Sequence, residues 1–241
     1  MPPNEYGGGV IMRKYVTEFI GTFGLVFTVG TAVLTDAAFA PLAIAAVLMV
    51  LVYAGGHISG AHYNPAISLG VFLRGGLSRS EMGLYWIAQL VAAFLAAWLA
   101  RFTANPARVP TLSISGGHAI VAALLAEFVF TFALVYVMLN VATRKDQPNN
   151  YFGLAIGFTV GAGAFAVSSV SGAAFNPAVA FGGMLMGLLG WSNLWIYLLA
   201  EVVGAAVAAI TFRYLNPADA EGGPLAGLPK ISVPKLSMSR K

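Results

Sequence analysis

The 241-residue sequence has no cysteine, and only 9% of its residues are Asp, Glu, Lys or Arg. Without cysteine there are no disulfides and no thiolate chemistry, and nothing marks a redox compartment. Soluble domains carry about 25% charged residues, so a chain this poor in charge cannot coat a water-facing surface. Its three histidines show no metal-ligand spacing, and no nucleophile stands beside a base. Neither a metal site, a cofactor nor an enzyme is therefore expected. No basic run interleaves with aromatics, which argues against a nucleic-acid partner.

What the chain has instead is apolar residues, 59% of the total, gathered in long blocks. A helix crossing a bilayer needs roughly 20 mostly apolar residues. Six blocks qualify, near 14–35, 38–58, 81–102, 118–141, 151–170 and 192–213. The first is longer than the core of a cleavable signal and follows a Gly-rich segment with little charge, so it reads as a span. The expected organisation is a short cytoplasmic segment over 1–13, one membrane domain over 14–213, and a flexible cytoplasmic tail over 214–241. The lipid bilayer is the implied partner.

Placing the N-terminus in the cytoplasm puts Arg13, Lys14, Arg74, Arg79, Arg144, Lys145, Arg213, Lys230, Lys235, Arg240 and Lys241 inside. Only Arg101 and Arg108 then lie outside. The positive-inside bias favours this orientation, with both termini cytoplasmic.

The chain repeats itself. Thr17-Glu18-Phe19 matches Ala126-Glu127-Phe128, and Tyr85 to Gln89 (YWIAQ) matches Tyr197 to Glu201 (YLLAE). The repeats run over about 14–104 and 118–213. Each holds three spans, an odd number, so the second copy sits inverted relative to the first. Between the second and third span of each repeat lies a short apolar stretch, Pro65 to Leu73 and Pro177 to Leu185. About ten residues make about 15 Å of helix, half a membrane. These read as re-entrant half-helices that meet near the midplane.

Asn-Pro-Ala occurs four times, beginning at Asn64, Asn105, Asn176 and Asn216. Only the copies Asn64-Pro65-Ala66 and Asn176-Pro177-Ala178 have matched lead-ins, Ser59-Gly60-Ala61 and Ser171-Gly172-Ala173, and open the short stretches. The copies at Asn105 and Asn216 follow the third and sixth spans and read as helix ends. Asn caps a helix start well and Pro suits its first position. Each half-helix would turn its positive end to the midplane, with the Asn amides as donors. A solute oxygen at that point accepts from both sides, which breaks a proton wire, while the positive helix ends repel cations.

These strings resemble the aquaporin (major intrinsic protein) family over nearly the whole chain. The resemblance implies an all-α, right-handed bundle of six tilted transmembrane helices plus two re-entrant half-helices, with one pore per subunit. It also implies a homotetramer in the cell membrane that passes small neutral solutes. Residues like Glu18 and Glu127 then accept hydrogen bonds from the re-entrant loops, and His57 and His62 lie in the loop before the first half-helix, His62 bracing it.

One departure stands out. Most members of the family have Arg directly after the second motif, and here Val179 stands there. Counted without gaps from the two Asn residues, the four filter positions fall on Ile44, Ala164, Ala173 and Val179. None carries charge or a side-chain hydrogen-bonding group, which removes a fixed cation and its fork of donors. A wide apolar filter is expected, passing polyols and metalloid hydroxides such as glycerol and arsenite as well as water. In this the chain resembles divergent bacterial members associated with arsenic resistance. Three alternatives stay open: a water-selective channel, an ion-coupled secondary transporter recruiting Glu18, Glu127 and Glu201, and a non-conducting junction protein.

Overall fold

The computed structural model describes residues 6–109, 111–144, 149–219 and 222–226. The first residues of the N-terminal segment, Lys145, and the end of the tail with Lys230, Lys235, Arg240 and Lys241 lie outside the described residues. Eight α-helices follow in order: α1 Tyr6–Leu34, α2 Ala40–Ser59, α3 Pro65–Arg74, α4 Arg79–Ala104, α5 Gly117–Ala142, α6 Phe152–Ser171, α7 Pro177–Met186 and α8 Leu194–Leu215. Six are long and apolar enough to cross a membrane, while α3 and α7 have ten residues each.

Local chemistry sets most boundaries. Pro41 starts α2, and Ser78 with Glu81 forms a reciprocal capping box at the start of α4. Gly60, Gly75, Gly172 and Gly187 take left-handed backbone at the ends of α2, α3, α6 and α7, where a Cβ would be strained. Helix α1 begins at Tyr6, earlier than the expected 14. Once nucleated by an apolar span, a helix gains one hydrogen bond per residue, which offsets the poor propensity of Gly7, Gly8 and Gly9. His57 belongs to the last turn of α2 rather than to the loop after it.

The two repeats interlock. Helix α1 lies along α4, α5 along α8, and α2 along α6. Half-helix α3 of the first repeat packs on α8 and α5 of the second, and α7 packs on α4 and α1. Small residues permit the close approaches: α4 buries Ala92, Ala93, Ala96, Ala97 and Ala100, and α8 buries Gly204, Ala205, Ala208 and Ala209. A Cβ on Gly204 would stand 2.9 Å from the Phe128 carbonyl oxygen of α5. The outer surface is greasy, with Ile20, Val50, Ile87, Phe94, Trp98, Leu125, Phe158, Phe165 and Leu199 exposed. Such a surface suits lipid and not water.

The start of α1 and the end of α8 share one face, here the near face, together with the C-terminal ends of α3 and α5. The chain after α8 differs from the free tail expected from 214. Residues 216–219 and 222–226 fold back over this face. Arg213 donates to the carbonyls of Arg74, Gly222 and Leu225 at 2.9, 2.8 and 3.2 Å. Asp219 is buried, 3.8 Å from Arg74 Nη2 and 4.0 Å from Arg144 Nε. Charged side chains converging on helix-end carbonyls hold this stretch in place.

Candidate functional site

Each half-helix starts on an Asn whose side chain closes its first turn. Asn64 Oδ1 accepts from Ala66 N at 2.8 Å, and Asn176 Oδ1 from Ala178 N at 2.9 Å. The amides then cross between repeats. Asn64 Nδ2 donates to the Phe175 carbonyl, and Asn176 Nδ2 to the Tyr63 carbonyl, both at 2.9 Å. Each amide keeps its second N–H, and both Asn residues line one cavity. Two positive helix ends and two amide N–H groups thus meet at one point. A polar solute there accepts hydrogen bonds from both sides. Pro65, Pro177, Ala66 and Ala178 are buried at the seam where the half-helices abut.

The lead-in loops are strained in register. Ala61 and Tyr63 take φ values of 50° and 49°, and Ala173 and Phe175 take 54° and 49°. Non-Gly residues in this region are held only when surroundings over-determine them. The surroundings are buried carboxylates. Glu18 Oε1 accepts from Ser59 Oγ at 2.7 Å and His62 N at 2.9 Å, and its Oε2 from Tyr63 N at 2.7 Å and Gln89 Nε2 at 2.9 Å. Glu127 Oε1 accepts from Ser171 Oγ at 2.6 Å and Ala174 N at 3.0 Å, and its Oε2 from Phe175 N at 2.7 Å. Tyr85 and Tyr197 add matching bonds to the carbonyls of Ser59 and Ser171. His62 Nδ1 lies 3.0 Å from Ser68 Oγ, and its ring meets Tyr85 edge-on at 5.0 Å.

The cavity that holds both Asn residues has a volume of about 210 Å³ and opens toward the far face. Ile44 of α2, Ala164 of α6, Ala173 of the second loop and Val179 of α7 all line it. The four positions counted from the motifs therefore face one space. Asp36 is the one charged side chain among the described lining residues, with no Lys or Arg beside it. On the near face a cavity of about 320 Å³ carries Lys14, Arg74 and Glu81, and His62 borders both cavities.

The other two Asn-Pro-Ala copies stand apart from this site. Asn105 caps the C-terminus of α4 with left-handed backbone, and Asn216 caps that of α8. Arg101 and Arg213, in the last turns of those helices, reach instead to the half-helix ends. Arg101 donates to the Met186 carbonyl of α7 and Arg213 to the Arg74 carbonyl of α3.

Two residues at the site, Gln89 and Tyr63, carry no role from the sequence, and Glu201 carries only the coupling role of the transporter alternative. Gln89 donates to both Glu18 and Ser68, Glu201 accepts from Asn176 N, and Tyr63 seats its ring against Gly21 and Gly55. The matched strings YWIAQ and YLLAE were the signal for Gln89 and Glu201, since each string ends on a polar residue inside an apolar span. Among the described residues no group of three His, Cys, Asp or Glu side chains gathers as a metal site does.

Comparison with known proteins agrees with this architecture. The family model described as Major intrinsic protein matches residues 9–212. The chain is 38% identical to aquaporin TIP1-1 of Arabidopsis thaliana over 170 residues, 69% of this chain and 66% of that protein. It is 35% identical to aquaporin TIP1-2 of Zea mays over 228 residues, 87% of this chain and 88% of that one. Among solved structures, the aquaglyceroporin from Plasmodium falciparum shares the fold with a TM-score of 0.73 at 20% identity, over 87% of this chain and 98% of that chain. With its paired half-helices, crossed Asn bonds and inverted repeat, the chain belongs to the major intrinsic protein family of multi-pass membrane channels, which are not enzymes.

Proposed function

We propose that the chain is a passive channel for small neutral solutes with a wide apolar filter, passing glycerol and arsenite as well as water. The observation that carries this is the chemistry of the far-face cavity. Ile44, Ala164, Ala173 and Val179 line it together without a cation or a side-chain hydrogen-bonding group among them. A filter of small and medium apolar side chains excludes by size, and the Asn pair supplies the polar contact at the centre. Neutral arsenite and glycerol are both compact polyhydroxyl solutes, so one such opening suits both. In this reading the protein is a homotetramer in the cell membrane, and the gathering of Lys14, Arg74, Arg79, Arg144 and Arg213 at the near face supports cytoplasmic termini.

A second reading, a water-selective channel, is favoured by the names of the relatives, several of which are called aquaporins. Proteoliposomes separate the two. Glycerol and arsenite flux well above the protein-free background is expected alongside water flux. High water flux with the other two at background overturns the wide-filter reading and leaves the water-selective one.

A further inference from the structure

We infer that Glu201 is held as a neutral carboxylic acid that positions the pore residue Asn176 through its backbone N–H. Glu201 occupies on α8 the place that Gln89 occupies on α4, at the end of the matched strings YLLAE and YWIAQ. Both side chains are fully buried behind a pore loop. Gln89 donates to Glu18, whereas Glu201 accepts from Asn176 N at 2.9 Å through Oε1. Its other oxygen, Oε2, is buried without a hydrogen-bond partner.

The second pore loop therefore has two carboxylates on three consecutive backbone donors. Glu127 takes the N–H groups of Ala174 and Phe175 as well as the Ser171 hydroxyl, with both of its oxygens satisfied. That is the solvation of an anion. Glu201 has one donor for two oxygens. The elements packed on α8 bring it no cation. Helix α7 has no titratable side chain, and α3 has only Arg74, at its near-face end. Helix α5 brings Glu127, with His118 and Tyr136 nine residues to either side, about 13 Å along the axis. On α8 itself Tyr197 gives its hydroxyl to the Ser171 carbonyl, and Arg213 lies three turns away.

An ionised Glu201 would thus be a second buried negative charge beside Glu127, with half its oxygens undonated, which is far more expensive than a neutral group in the same place. The first repeat shows what that place tolerates. Gln89 Oε1 is also buried without a partner, and it is a neutral oxygen. Charge on Glu201 would also oppose the positive end of α7 at Asn176 N, weakening the barrier to cations at the midplane. The neutral acid keeps the hydrogen bond and leaves that barrier whole.

The test does not depend on which solute is native. Infrared spectra of the protein in proteoliposomes at neutral pH should contain a protonated carboxyl band in wild type that Glu201→Gln removes. Absence of the band in wild type, or its undiminished survival in Glu201→Gln, overturns the assignment. Water flux supplies the positioning readout. Glu201→Gln, which keeps a neutral acceptor, should stay within about twofold of wild type, while Glu201→Leu, which strands the Asn176 N–H, should lose about tenfold. Loss in Glu201→Gln equal to that in Glu201→Leu, or full flux in Glu201→Leu, overturns the positioning role. If Glu201→Leu does not fold, the glutamine variant and its spectrum still decide.

Discussion

In the first repeat the pore loop is closed by Glu18, Ser59, Gln89, Ser68 and His62, while in the second Glu127, Ser171 and Glu201 do the same work. The backbone is the same in both, down to left-handed φ values at Ala61, Tyr63, Ala173 and Phe175. The polar fillings differ, although both loops line the far-face cavity. His62 borders the near-face and far-face cavities alike, whereas Ala173 and Val179 leave the far side open. The shared part of the frame holds the loop backbone, and in the proposed function the unshared part selects solutes.

Removing a shared carboxylate should have the largest effect. Glu18→Ala strands four donors and Glu127→Ala three. At about 1–3 kcal/mol for each buried donor left unpaired, destabilisation on the order of 5 kcal/mol is expected for each, larger for Glu18. Thermal unfolding and yield of detergent-solubilised protein measure it. Equal and small losses would mean that the loops hold their strained backbone without the carboxylates.

Next in size is the seat of the loop aromatics. A Cβ on Gly21 or Gly55 would enter the Tyr63 side chain, and one on Gly163 would stand 2.5 Å from the Phe175 ring. The position matching Gly21 in the second repeat is Phe130, whose ring lies 5.2 Å from that of Phe175. Overpacking of this kind costs about 2 kcal/mol, so Gly21→Ala and Gly163→Ala should each lower stability by that amount. A neutral Gly21→Ala would show that Tyr63 is not fixed by this contact.

The proposed filter comes third. Val179 and Ile67 hold matching places, three residues after each pore Asn, and both line the far-face cavity. Val179→Arg adds a long cationic side chain there and should cut glycerol and arsenite flux on the order of tenfold while reducing water flux less. Equal loss for all solutes in a proteoliposome panel would remove Val179 from the constriction.

How much of this was legible beforehand depends on the range of the interactions. Spans and half-helices are written in block length, and caps such as Ser78 or Gly60 in single residues. Asn64 and Asn176 are separable from Asn105 and Asn216 because repeat context is a sequence property. The partners of buried polar groups are not. Arg101 meets Met186, and Arg213 meets Arg74, only because each half-helix packs into the opposite repeat. Composition likewise reads Asn216 onward as a free tail, whereas Asp219 is buried against Arg74 and Arg144. Pattern reports which face of a helix is apolar; it is silent on which helix covers it.

The smallest effect tests the most local difference between the repeats. His62 and Ser68 have Ala174 and Ala180 as their counterparts, so the double substitution His62→Ala with Ser68→Ala rebuilds the second repeat's filling in the first. Ser68 Oγ lies 3.0 Å from His62 Nδ1 and accepts from Gln89 Nε2 at 3.2 Å. Each single variant should cost about 1–2 kcal/mol, and the pair should be less destabilising than their sum by about 1 kcal/mol, because either change already breaks the shared bond. His62→Ala should also raise glycerol flux slightly, since its ring borders both cavities. Strict additivity of the two stability losses would mean that His62 acts through its packing on Tyr85 alone, and that the extra polar pair of the first repeat braces nothing.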